Sequence, residues 1–137
     1  MARELSIICT ACKQPIDDGK PGSLEISMRD VGTCREQRAA WEAEHIASAG
    51  PGLTTVGWGA LASQPDPARW QAFHDACTTS SFGDYYVSAD EVQNWQDLVA
   101  RTAHLMGKQW LQFTDWDEVL EGAASGRGTV IVPVTQP

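Results

Sequence analysis

The sequence predicts an α+β fold, in which a small antiparallel sheet carries two or three packed helices. Three observations predict it. Short β-prone runs stand near both ends of the chain and in its middle, helical stretches fall between them, and dense Gly/Pro/Asp turn signals separate the two kinds. At 137 residues the chain suits one domain spanning 1–137, and it shows no internal repeat or low-complexity tract.

Leu5–Ile8 reads as a strand that runs straight into Cys9-Thr10-Ala11-Cys12. Pro15 and the run Asp17–Gly22 signal turns, and Ser23–Met28 alternates polar and apolar as a half-buried strand does. The first 28 residues are therefore expected to form a strand, a Cys-bearing turn and a returning strand. Thr33 and Glu36 have capping-box spacing and predict an Ala-rich helix over about 33–48. Residues 49–67 place Gly and Pro too densely for a regular element, which predicts a long loop insertion that Leu53, Val56, Trp58 and Leu61 could pin down.

Ala68–Phe73 reads as strand or helix and leads into His74-Asp75-Ala76-Cys77. Tyr85–Val87 predicts a short strand. Ser88 with Glu91 forms a second capping box, followed by Val92, Trp95, Leu98, Val99, Thr102, Leu105 and Met106 at helical spacing. That pattern predicts a helix over 89–106, stopped near Gly107. Thr114–Glu118 opens another helix through Leu120, with acids in its first turn where the helix dipole favours them. Gly122–Gly128 interrupts, and Thr129–Val134 is a β-branched strand that Pro133 assigns to a sheet edge. Trp95, Trp110 and Trp116 with Phe113 are expected to form the core between the last two helices.

Composition narrows the function classes. The chain is 42% hydrophobic and 20% charged, within the globular range. No apolar run is long enough for a membrane span, and the short one near the N-terminus, broken by Ser6, is no signal-peptide core, so a cytoplasmic location is expected. The net charge of −8 is concentrated: residues 75–121 carry nine acids against Arg101 and Lys108. Such a surface repels phosphate backbones and argues against nucleic acid. It suits a solvated acidic face or a basic protein partner.

Cys9-x-x-Cys12 and His74-x-x-Cys77 carry the chemistry. A tetrahedral Zn²⁺ needs four soft or borderline ligands, and a two-residue gap lets one tight turn aim both members of a pair at the same point. The ligand set read from the sequence is Cys9, Cys12, His74 and Cys77, with Zn²⁺ as the cofactor and a zinc-stapled corner in the fold. A redox dithiol fits less well, because Pro15 and Asp17-Asp18-Gly19 destroy the helix such a motif needs behind it. The lack of an export signal disfavours a structural disulfide, and the cysteine spacing matches no common iron–sulfur pattern. The site without a metal is the remaining alternative.

The CxxC…HxxC arrangement over Cys9–Met28 and Trp70–Cys77 resembles treble-clef zinc sites, including the first site of LIM-type domains, with 61 residues (Lys13–Phe73) between the pairs. That resemblance implies a knuckle, a β-hairpin and a helix start around one metal. The Ala-, Gly- and Trp-rich make-up and the segment TAHLMGKQWLQFTDW resemble small zinc-binding proteins of high-GC bacteria and their phages.

Four protein ligands leave zinc no open position for an activated water, and neither HExxH nor a deaminase HxE signature is present. No catalytic residue is assigned. Cys34 and His45 could each replace a ligand; the bland readings are a free buried thiol and a solvated helix residue. His104 suits helix packing, and Ser80 and Ser81 lie in no nucleophile motif. The expected function is a non-enzymatic zinc protein that regulates or inhibits another protein through an acidic, aromatic-containing surface. Two alternatives stand beside it. One is a zinc enzyme with an open site held by Cys9, Cys12 and Cys77. The other is a nucleic-acid-binding zinc module using Lys13, Lys20, Arg29, Arg35 and Arg38.

Overall fold

In the computed structural model, residues 3–45, 64–77 and 85–134 are described. The order of regular elements is β1 (Leu5–Ile8), β2 (Pro15–Ile16), β3 (Gly22–Ile26), α1 (Met28–His45), β4 (Gln71–His74), β5 (Tyr85–Ser88), α2 (Trp95–Leu105), α3 (Trp116–Ser125) and β6 (Ile131–Pro133). The α+β class and its antiparallel pairing hold, but the strands form two three-stranded sheets rather than one, ordered β2-β1-β6 and β4-β3-β5.

This division corrects the expected N-terminal hairpin. β1 pairs with the two-residue β2 (Ile7 opposite Ile16), while β3 sits at the centre of the other sheet, with Leu24 opposite both Ala72 and Val87. Pro15–Ile16 is too short to show period-two alternation, so the sequence pattern passed over it for the longer β3. β6 lies at an edge beside β1, as Pro133 required. Ala68–Phe73 resolves in favour of a strand, Gln71–His74.

Both predicted capping boxes give way to other caps. α1 starts at Met28, where Ser27 Oγ accepts from Asp30 N at 3.3 Å; Thr33 lies inside the helix and donates its hydroxyl to Arg29 O. Ser88 ends β5, pairs with Ser23 and makes no side-chain cap. Ala89–Glu91 forms a single 3-10 turn, and α2 starts later, where Asn94 accepts from Asp97 N. α3 continues past Leu120 to Ser125 and stops at the left-handed Gly126. The predicted extension of α1 to Ser48 and most of the 49–67 loop lie outside the described residues.

The core joins Leu5, Ile7, Ile16, Leu24, Ile26, Val87, Leu98, Leu105 and Ile131 to Trp70, which is 2% exposed. Trp70 anchors an aromatic cluster: its ring centroid lies 5.1 Å from Trp116 and 6.2 Å from both Trp110 and Tyr85. Its indole N–H donates to Thr114 Oγ1 and its backbone N–H to the buried carboxylate of Asp115. Trp95, expected in that core, lies at the surface instead, because α2 turns Leu98 and Leu105 inward and Trp95 falls to one side of them. Among the described residues, no helix is long and apolar enough to cross a membrane.

Candidate metal centre

The two motifs meet where the two sheets abut. Cys9 follows β1 directly, and the chain turns at once: Lys13 N donates to Cys9 O at 2.9 Å and Cys9 N to Gln14 O at 3.0 Å. Lys13 completes the turn in the left-handed conformation, φ 64°. Thr10 clips this knuckle onto β4, its N–H donating to Ala72 O and its Oγ1 accepting from Ala72 N. His74 is the last residue of β4, and Cys77 closes the one-turn 3-10 helix that follows. Gly22 opposite His74 lets the strands approach, since a Cβ there would lie 2.2 Å from Phe73 O.

Cys9, Cys12, His74 and Cys77 thus come together, their ligand atoms all within 4.8 Å of one another. His74 Nδ1 lies 3.3 Å from Cys12 Sγ and 3.8 Å from Cys77 Sγ. A tetrahedron with Zn–S of about 2.3 Å and Zn–N of about 2.0 Å has S···N edges of roughly 3.5 Å, close to these two distances. Cys9 and His74 are buried, while Cys12 is exposed.

The far side of the imidazole fixes its tautomer. His74 Nε2 lies 2.9 Å from Pro15 O, and a carbonyl only accepts, so Nε2 carries the hydrogen. In the neutral ring this leaves the Nδ1 lone pair on the side of the sulfurs. This is the outer-shell arrangement that orients a metal-ligating histidine.

The thiols are electrostatically divided. Burial acts to raise the Cys9 thiol, but N–H donors from Cys12, His74 and Ala11, with the Cys12 thiol, outweigh it and bring it down to about 6. Burial and the neighbouring Cys9 and Cys12 sulfurs push the Cys77 thiol up to about 11. One sulfur ionises readily, and its charge then holds the proton on another. A divalent cation relieves that conflict, because it accepts several thiolates at once.

The other candidates fall elsewhere. Cys34 is buried within α1, outside the cluster, so it replaces no ligand in this arrangement. His45 ends α1, and His104 is exposed on α2. Ser80 and Ser81 lie outside the described residues. Of the proposed basic face, Arg35 and Arg38 each stack over the Phe113 ring at 5.3 Å. Sequence reasoning missed Thr10, the Pro15 carbonyl and the turn at Lys13. A backbone carbonyl leaves no side-chain signature, but the hydroxyl between the two cysteines was a readable signal. No protein-family model, curated protein or solved structure matches the chain.

Proposed function

We propose that this protein is a non-enzymatic zinc module, one domain over 1–137 with a treble-clef-like corner, that regulates or inhibits another protein through an acidic, aromatic-containing surface. The observation that carries the zinc reading is the His74 imidazole, held by Pro15 O so that Nδ1 faces three sulfurs. Cys9, Cys12, Cys77 and His74 would hold the ion, and three thiolates with one imidazole suit Zn²⁺ over harder cations. With four protein ligands the metal supplies cross-linking rather than an activated water. The open-site alternative needs His74 free to act, whereas its bond to Pro15 and its distances to sulfur favour ligation. The acidic charge and the two arginines stacked on Phe113 weigh against the nucleic-acid alternative.

Elemental analysis of the purified protein is expected to find one zinc per chain. Cobalt exchange should give thiolate-to-metal charge transfer and the intense visible bands of a tetrahedral site. A weak visible spectrum with a bound water, or protein free of metal with unchanged melting, would overturn this reading.

A further inference from the structure

The cysteine knuckle lies along β4 much as a further strand would. In an antiparallel ladder the N–H and C=O of one residue face the same side, and residues two apart face alike. Ala72 O accepts from Thr10 N at 2.6 Å, and Ala72 N donates to Thr10 Oγ1 at 3.1 Å, so Ala72 turns both groups toward the knuckle. His74, two residues on, does the same, and its N–H donates to the Cys9 sulfur. Alternate N–H groups of β4 are thus taken by consecutive residues of the knuckle, one by a hydroxyl and the next by a metal-ligating atom. Cys9 and Ala72 are both buried.

The Thr10 side chain has a particular task in this register. Its own N–H is committed to Ala72 O, so only its hydroxyl is left to receive the Ala72 N–H. A side chain without an acceptor would leave that buried donor unpaired. Neither bond to Ala72 uses a ligand atom, so both persist whether the sulfurs carry protons or a cation. Thr10 stands between Cys9 and Cys12, and Ala72 stands two residues before His74. The pair of bonds therefore sets one half of the ligand set against the other.

We propose that Thr10 is a positioning residue of the metal centre: its two bonds to Ala72 hold Cys9 and Cys12 against His74 and Cys77 before the cation arrives, so that zinc enters a preassembled site. The inference rests on the zinc reading above. Its effect on affinity follows from comparing the two states. In the zinc-loaded protein the four ligands keep the knuckle on β4 whatever stands at position 10. In the metal-free protein, valine at that position lets the knuckle part from β4 and lets water reach the Ala72 N–H. Zinc must then draw the two back together and exclude that water, which weakens its binding. A purely structural role would lower the stability of both states alike and leave the affinity unchanged.

The test is a zinc competition titration of the full chain against a chromophoric chelator at constant pH. Thr10→Val, which keeps the branched shape and removes the hydroxyl, is expected to weaken zinc binding about tenfold. Thr10→Ser, which keeps the acceptor, should stay within about threefold of the parent. A second measurement decides the matter even where Thr10→Val fails to fold. In the metal-free parent, held below its melting temperature, the Ala72 amide should exchange with deuterium at least about a hundredfold more slowly than in an unstructured peptide. Equal zinc affinity in Thr10→Val and the parent would overturn the proposal. So would equal weakening in Thr10→Val and Thr10→Ser, or an unprotected Ala72 amide in the metal-free parent. Any of these alongside one bound zinc per parent chain removes the role of Thr10 alone, whereas a parent that binds no zinc removes the metal reading itself.

Discussion

At Asp115 a single carboxylate works against its surroundings. It accepts from Trp70 N at 2.8 Å and lies 3.7 Å from Arg69, yet burial outweighs both and raises its pKa above the usual aspartate value. The sign follows from linkage: a folded-state pKa above the unfolded one favours the folded state while the group is protonated, and this contribution is lost as pH rises through the raised value. Asp115→Asn keeps an oxygen for Trp70 N and removes the buried charge. The variant is expected to gain stability relative to the parent as pH rises from acid to neutral, read by urea melts across that range. An NMR titration should place the parent's Asp115 midpoint above the ordinary value. Residues also differ in how far the sequence exposed them. Cys9, Cys12, His74 and Cys77 were legible because ligand chemistry restricts residue type and spacing. Lys13 was not, since nothing in a lysine announces a positive φ, and neither was Trp95, because helical spacing does not say which of several apolar residues α2 turns toward the core.

The elements were legible in kind and misplaced at their ends, for a physical reason that α2 makes plain. Two capping signals stand six residues apart, Ser88 with Glu91 and Asn94 with Asp97, and local chemistry alone does not rank them. The fold favours the second: Ser88 is paired opposite Ser23 and makes no side-chain cap, and only the single 3-10 turn Ala89–Glu91 follows it before α2 begins. Asn94 Oδ1 then accepts from Asp97 N at 2.8 Å, and Asp97 Oδ2 accepts from Gln93 N at 3.1 Å, which completes a reciprocal cap. Asn94→Ala is therefore expected to cost about 1 kcal/mol. Ser88→Ala, which removes no cap, should fall within about 0.5 kcal/mol of the parent in the same urea melts. The strands show the same dependence on partners. β3 was read correctly as a strand but given to β1, because alternation reveals a half-buried face without saying which strand lies alongside.

For the molecule as a whole, the metal centre joins parts that are distant in sequence. The knuckle belongs to the sheet of β1, β2 and β6, while His74 ends β4 in the other sheet. Bonds from Thr10 to Ala72 already hold the two together, so a cation bound at the cluster would reinforce a junction that the chain also stitches by itself. A cross-link closing a loop of roughly 60 residues is worth about 4 kcal/mol in chain entropy. Removing zinc with a chelator, or replacing Cys12 in Cys12→Ser, is then expected to lower Tm by roughly 10–20 °C. The pH dependence follows from the thiols. Cys9 is depressed to about 6, so its contribution is present above the unfolded thiol pKa and lost as pH falls through about 6. Protons and zinc compete for the same sulfurs, so the difference in Tm between zinc-loaded and chelated protein should shrink steadily from pH 7 to about pH 5. A difference that stayed constant across that range would mean that the stabilising ion binds through groups other than these thiolates. The two sheets would then owe their junction to Thr10 and the core alone.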